Sequence, residues 1–172
     1  MRALVVSDSH GDDAILQQLV ARYQHQVDVM IHCGDSELSY QDPLRQQFLI
    51  VQGNMDFDQQ FPLQIVTQVA GESVLIVHGH RVGVNMGLER LSLLAQEQQA
   101  QFVCYGHTHQ LACEFVDGRL FLNPGSISQP RGEYIGLHGT YAIVESTPET
   151  INVQYYQRHF EPVDTLALSF KR

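Results

Sequence analysis

Basic side chains are scarce in this sequence. Its 172 residues include 10 lysines and arginines against 19 aspartates and glutamates, which gives a formal net charge of −9 at pH 7. Affinity for long nucleic acids comes mostly from cationic side chains that meet phosphates. The composition therefore argues against a long polynucleotide partner, and a phosphate-bearing substrate would need positive charge from another source.

Long apolar runs are missing as well. No stretch approaches the roughly 18 apolar residues that a membrane helix needs, and the short apolar run at residues 3–6 lacks the pattern of a signal peptide. The sequence has no repeat of fixed period and no linker-like tract. We therefore expect a cytoplasmic protein with no membrane partner, and a single domain over residues 1–172.

Cysteine is rare, since the chain has only Cys33, Cys104 and Cys113. The number is odd, and no two of them stand in a C-x-x-C arrangement. Each lies in an apolar run, which predicts buried, reduced thiols rather than a disulfide framework.

Strand and helix patterns alternate in the first half of the chain. Apolar, β-branched runs predict strands at 3–7, 27–33, 47–51, 65–69, 73–77 and 102–105, and helical periodicity predicts helices at 12–26 and 87–101. In the second half, turns link predicted strands at 111–116, 119–122, 140–144 and 151–156. This order predicts an α/β protein with a mixed sheet, or with two packed sheets covered by helices.

Potential metal ligands stand where five of the predicted strands end. In chain order they are Asp8, His10, Asp35, Asn54, His78, His107 and His109. Strand ends are where ligand sites usually lie in open α/β sheets. Seven ligands are too many for one zinc, which takes four, and they suit two divalent ions that share a carboxylate. Histidine with carboxylate and no thiolate favours Mn, Fe, Zn, Co or Ni over Mg or Ca.

The order of these residues resembles a known signature. Asp8-Ser9-His10, Gly34-Asp35, Gly53-Asn54, His78 and Gly106-His107-Thr108-His109 match D-x-H, G-D, G-N, H and G-H-x-H. That series is similar to the signature of the calcineurin-like metallophosphoesterases, over residues 1 to about 145. The small size and the turn at 123–126 resemble the short prokaryotic subgroup of YfcE type.

The resemblance implies a fold and a ligand assignment. The fold is a four-layer αββα sandwich of two mixed β-sheets flanked by helices. One metal would be held by Asp8, His10 and His109, and the other by Asn54, His78 and His107, with Asp35 bridging both. Each motif alone has an ordinary explanation, such as a helix cap or a turn. Their joint occurrence in the family order favours metal binding.

The resemblance also implies a reaction. We expect a phosphodiesterase that hydrolyses a small phosphate ester by in-line attack of a metal-bridging hydroxide, with manganese as the favoured ion. The expected catalytic residues are Asp35, Asn54 and His80. His80 is included because Met55 stands where larger relatives have a histidine, and methionine cannot donate a proton. Two divalent ions against two carboxylates would leave a cationic spot on an acidic protein.

Several alternatives remain open at this level. The same fold serves as a protein-binding scaffold in the retromer subunit, and a phosphomonoesterase or a nuclease on short substrates is a further option. Small relatives form dimers or tetramers, so a homo-oligomer is expected by resemblance. We expect His32 to be structural or to lie behind the ligands, Asp56 and Asp58 to be solvated or to lie behind the ligands, and Arg131 to form a surface ion pair.

Overall fold

The computed structural model describes residues 1–172 as two β-sheets that pack face to face, with helices on their outer faces. The strands are β1 (Arg2–Val6), β2 (Val29–His32), β3 (Leu49–Ile50), β4 (Gln64–Val69), β5 (Glu72–Val77), β6 (Phe102–Cys104), β7 (Leu111–Val116), β8 (Arg119–Pro124), β9 (Thr140–Ser146), β10 (Thr150–Gln157) and β11 (Leu168–Lys171). The α-helices are α1 (Asp13–Tyr23) and α2 (Glu89–Glu97).

Both sheets are mixed. The first has the order β11-β10-β9-β1-β2-β3, in which β1, β2 and β3 run parallel and the other neighbours are antiparallel. The second has the order β4-β5-β6-β8-β7, in which β5, β6 and β8 run parallel. Each sheet therefore has three parallel strands whose carboxyl ends meet at one edge.

Alternating side chains along the strands build the layers. In β1, Ala3 and Val5 pack into the core between the sheets, whereas Leu4 and Val6 pack with the apolar face of α1. In the second sheet, Leu75 packs with α2 on the outer face. Successive residues of a strand point to opposite faces, so strands covered on both sides are apolar throughout. The four-layer αββα arrangement that the family resemblance implies is confirmed.

Several elements differ from the prediction, including α1, which covers Asp13–Tyr23 rather than 12–26. Helix α2 is shorter than 87–101, because Gly87 and Gln99 both have positive φ, which ends the helical conformation on either side. Strand β3 is reduced to Leu49–Ile50. Strand β11 was not predicted, since it is an edge strand whose residues are mostly exposed and give little apolar signal.

All three cysteines are free, as predicted. Cys33 and Cys104 are buried, and Cys113 is half-buried. No helix in the structure has both the length and the apolar character that a membrane crossing requires.

Candidate metal centre

The candidate ligands come together because the parallel strands end at one edge of the molecule. Asp8 and His10 follow β1, and the backbone N–H groups of these two residues donate to the carbonyls of Gly34 and Asp35 in the loop after β2. From the second sheet, His78 follows β5 directly. Its Nε2 lies 3.2 Å from Asp8 Oδ1 and 3.4 Å from Asp35 Oδ2. The site therefore lies where the two sheets meet.

Most of these side chains are carried by left-handed backbone. Positive φ values occur at Asp8 (53°), His10 (47°), Asp35 (52°), His107 (70°) and His109 (60°). Non-glycine residues rarely adopt this region, and such strain persists where the surrounding structure holds it, often at functional sites. The strained loops bend sharply and aim neighbouring side chains toward one centre.

Two motif glycines are required for close contact rather than for flexibility. A Cβ on Gly53 would lie 2.1 Å from Asp35 Oδ1 and 2.3 Å from the Asp35 backbone nitrogen. A Cβ on Gly106 would lie 2.0 Å from Ser7 Oγ and 2.7 Å from Asp8 Oδ2. Any larger residue would displace the carboxylates of the site, which is the physical reason for glycine in G-N and G-H-x-H.

Four candidate ligands form one tight group. Ligand atoms of Asp8, His10, Asp35 and His109 all lie within 4.8 Å of one another. The Nε2 atoms of His10 and His109 face each other at 3.2 Å, and His109 Nε2 is 3.3 Å from Asp8 Oδ1. Asp8, Asp35 and His109 are buried, and His10 is half-buried.

The hydrogen bonds made by Nδ1 of His10 and of His109 show which ring nitrogen can bind a cation. His10 Nδ1 lies 2.9 Å from the carboxylate of Glu37, and His109 Nδ1 lies 2.6 Å from the carbonyl of Gln129. Both partners are acceptors only, so each Nδ1 carries the hydrogen and each neutral ring has its lone pair on Nε2. Two lone pairs that face each other beside a carboxylate need a positive charge between them. The donor set therefore fits a divalent metal ion.

The pKa values of His109, Asp8 and Asp35 also indicate that the site requires a positive charge. Burial lowers the pKa of His109, but the hydrogen bond and the charge of Asp8 outweigh burial and raise it above its ordinary value. Burial raises the pKa of Asp8, but its contacts with His109 and His78 outweigh burial and hold it well below its usual range. Burial also raises the pKa of Asp35, against the opposite effect of His78. A proton or a metal ion can supply the positive charge that these groups require.

The remaining candidates are less closely assembled. The ring of His107 packs against His78 with centroids 5.1 Å apart, and its backbone N–H donates to Asp8 Oδ2 over 3.2 Å. Its Nε2 lies 2.9 Å from Nδ2 of Asn85, a contact that the sequence did not indicate. Asn54 is exposed, and its side chain makes no hydrogen bond. The structure thus brings one group of four together and leaves His107 and Asn54 at its margin.

His80 contacts a candidate ligand rather than the centre itself. Its Nδ1 lies 3.0 Å from Nδ1 of His78. Burial, followed by the charges of His78 and His107, lowers the pKa of His80 to about 4, so its ring is neutral at pH 7. A neutral His80 can accept the Nδ1 hydrogen of His78, which leaves His78 Nε2 free to face the two carboxylates.

Asp56 is a structural residue of the site. It is 6% exposed and accepts four hydrogen bonds. Its Oδ2 accepts from the backbone N–H of Asp35 (2.9 Å) and Gly53 (2.7 Å). Its Oδ1 accepts from the backbone N–H of Glu37 (2.6 Å) and from Ser36 Oγ (3.1 Å). Asp56 therefore joins the loop after β2 to the loop after β3. It lies behind the ligands, which is one of the two positions predicted for it.

Other buried polar groups support the ligand loops. His32 lies between Ser9 Oγ, 3.0 Å from its Nε2, and the backbone N–H of Gly34, 3.2 Å from its Nδ1, and burial lowers its pKa to about 4. This agrees with the structural role predicted for His32. Ser126 Oγ donates to the Asp8 carbonyl, and Asn123 Nδ2 donates to the Gly106 carbonyl. Arg131 forms no ion pair, so the predicted surface salt bridge is absent.

The sequence also carries the family signature over most of its length. The model of the calcineurin-like phosphoesterase superfamily domain matches residues 1–148. The chain therefore belongs to the calcineurin-like phosphoesterase superfamily. It is 34% identical over 166 residues to a Bacillus subtilis protein described as "Probable metallophosphoesterase YsnB", which covers 96% of each chain. The resemblance to this family predicted from the motifs is confirmed.

Solved structures agree with this assignment. A predicted phosphoesterase from Streptococcus pneumoniae is 38% identical and superimposes with a TM-score of 0.95, covering 99% of this chain and 97% of that one. Vps29 from Entamoeba histolytica complexed with Zn²⁺ (21% identical, TM-score 0.71, 100% and 98% covered) shares the fold. YfcE, a phosphoesterase from E. coli, does so as well (17% identical, TM-score 0.64, 98% of each chain covered).

Proposed function

We propose that this chain is a phosphodiesterase that hydrolyses a small phosphate ester and uses two divalent transition-metal ions. The observation that carries the proposal is the pair of Nε2 atoms of His10 and His109, which face each other 3.2 Å apart beside Asp8. The full proposed ligand set is Asp8, His10 and His109 for one ion, Asn54, His78 and His107 for the other, and Asp35 for both.

Bound divalent ions would activate a water molecule near neutral pH and neutralise the charge on the phosphate oxygens. The protein's part is to hold and orient their ligands. Glu37 and Gln129 accept the Nδ1 hydrogens of His10 and His109, and such partners fix both the tautomer and the ring orientation of a metal-binding histidine. Asp8 and Asp35 are buried and would supply the negative charge that retains the ions.

We assign His80 a positioning role within this proposal. His80 contacts Nδ1 of His78, whereas Nε2 of His78 faces Asp8 and Asp35. Asp35 and Asn54 remain the proposed catalytic residues that lie next to the substrate phosphate.

The loop after Asn54 offers no acid for the leaving group. Met55 has no proton to donate, and its side chain is 44% exposed. We therefore expect the enzyme to favour esters whose alcohols leave easily as anions.

Manganese is the proposed ion, and the clustered imidazole nitrogens and carboxylate oxygens, without a thiolate, fit it together with Fe, Zn, Co and Ni. We also propose that residues 1–172 act as one domain, since the candidate ligands are drawn from both sheets. The proposed location is the cytoplasm, where thiols such as those of the three free cysteines stay reduced.

Activity should depend on added metal and should favour diesters. With Mn²⁺, we expect the purified protein to hydrolyse bis-p-nitrophenyl phosphate about tenfold faster than p-nitrophenyl phosphate, a difference of about 1.4 kcal/mol in barrier. A chelator such as EDTA should abolish both activities, because the facing imidazoles then have no shared cation. Release of p-nitrophenolate, followed by absorbance, measures both rates.

Readdition of Mn²⁺ after chelation serves as the control and should restore the rate. A chain that turns over neither ester with Mn, Ni, Co, Fe or Zn would contradict the proposal. In that case the alternative, a non-catalytic protein-binding scaffold of the same fold, becomes the better explanation. A faster reaction with the monoester would replace the phosphodiesterase with a phosphomonoesterase.

A further inference from the structure

A shallow groove lies directly beside the proposed metal centre. It has a volume of about 500 Å³ and is lined by Glu37, Leu38, Ser39, Phe57, Asp58 and Gln59. Glu37 connects the groove with the proposed metal centre, because its Oε1 lies 2.9 Å from Nδ1 of the candidate ligand His10. A substrate whose phosphate lies at the centre would therefore have this groove on the side of His10.

Phe57 is the most distinctive residue of the groove. It is 87% exposed, although a phenyl ring is normally buried when it serves only the core. The residues on both sides of it are held in place: Asp56 accepts four hydrogen bonds, and Asp58 Oδ2 accepts from the backbone N–H of Tyr40 over 2.9 Å. The ring is thus presented to solvent by an anchored loop, which is how a contact residue for a ligand is arranged.

The charge of the groove selects among possible ligands. Its lining includes the carboxylates of Glu37 and Asp58 and no lysine, arginine or histidine. Asp58 stays ionised, because backbone N–H groups of Tyr40 and Gln60 lower its pKa. An anionic group would be repelled here, and a neutral apolar group would use only the ring. A substituted ammonium group would use both the face of an aromatic ring and the carboxylates.

We propose that the groove binds a substituted ammonium group on one alcohol of the substrate, so that this enzyme prefers phosphodiesters of choline or a similar amino alcohol. This inference rests on the proposed phosphodiesterase activity. Phe57 is then a specificity-determining residue: its ring contacts the cation, and Glu37 and Asp58 supply charge complementarity from the same groove.

Two esters that differ only in charge test this directly. One is p-nitrophenylphosphorylcholine, and the other is 3,3-dimethylbutyl p-nitrophenyl phosphate, in which carbon replaces the ammonium nitrogen. With Mn²⁺, we expect kcat/KM to be about tenfold higher for the choline ester, combining cation–π and carboxylate attraction. In Phe57→Leu, which keeps an apolar side chain without the aromatic face, the ratio should fall to about twofold.

Leu93→Ala is the matched control. Leu93 is a 66% exposed apolar residue on α2, outside the groove, so its removal should leave the tenfold ratio unchanged. Equal kcat/KM for the two esters in the wild-type chain, or the same ratio in Phe57→Leu as in the wild type, would overturn the groove assignment while the phosphodiesterase proposal stands.

Binding separates this inference from the proposed activity. If neither ester is hydrolysed, both are titrated into the wild-type and Phe57→Leu proteins in the same buffer and followed by calorimetry. Tighter binding of the choline ester that is lost in Phe57→Leu would support the groove and overturn the phosphodiesterase. Absence of that preference would overturn both.

Discussion

Replacing Asp35 with alanine is expected to lower kcat/KM by at least about a hundredfold, because loss of an outer contact to a metal ligand already costs 10–100-fold and Asp35 is the ligand proposed to serve both ions. Its Oδ2 lies 3.4 Å from His78 Nε2, and its ligand atom belongs to the same group as Asp8, His10 and His109. The bound metal, measured by elemental analysis of the purified protein, should fall to fewer than about one ion per chain, because a shared ligand serves both sites.

Met55→Ala is the control for this variant. The contact between the two residues runs from the backbone N–H of Met55 to Asp35 Oδ1 over 2.7 Å, and alanine keeps that N–H. The Met55 side chain is 44% exposed, so its truncation should change activity by less than about threefold. Comparable losses in Asp35→Ala and Met55→Ala would show that Asp35 is not a shared ligand. Circular dichroism verifies that both variants are folded.

Asp56→Asn is expected to have the second large effect, on stability as well as on activity. Both carboxylate oxygens of Asp56 accept hydrogen bonds, from Asp35 and Gly53 on one side and from Glu37 and Ser36 on the other. An asparagine must turn its NH₂ group toward one of these pairs of donors, whichever way it is oriented. The free energy of unfolding should fall by about 2–4 kcal/mol, since buried donors lose a charged acceptor.

Denaturant unfolding measures this loss, and kcat/KM with Mn²⁺ should fall in parallel because Asp35 and Gly53 would no longer be held together. Asp117→Asn is a matched substitution in an exposed turn, where the side chain accepts no hydrogen bond. It should leave both stability and activity within the error of the measurement. An Asp56→Asn protein as stable and as active as Asp117→Asn would show that the two loops do not depend on Asp56.

Much of this site could be predicted because its residues follow a rule of position. Asp8, Asp35 and His78 stand just after buried strands, and parallel strands bring their carboxyl ends to one edge. The glycines at 53 and 106 could be anticipated as turn residues from the sequence. Their structural reason, a close approach of backbone to the Asp35 and Asp8 carboxylates, depends on atoms of loops far away in the chain.

The sequence did not indicate the residues that form hydrogen bonds with the candidate ligands. Glu37 reads as a surface carboxylate, yet it orients His10. Gln129 contributes a backbone carbonyl, which every residue has, so its identity carries no information about its contact with His109. Phe57 is an aromatic residue in a polar loop, and its 87% exposure beside a groove could be seen only after the chain was folded.

The sequence by itself determined the family, an α/β fold and the seven candidate ligands, because strand periodicity and the order of short polar motifs are local properties of the chain. The arrangement in four layers was implied by the family resemblance. Only the tertiary structure decided which nitrogens of His10 and His109 face each other, that Asp56 joins two loops, and that His107 and Asn54 lie at the margin. Those facts depend on distances between segments that are 20 to 100 residues apart, which no local pattern encodes.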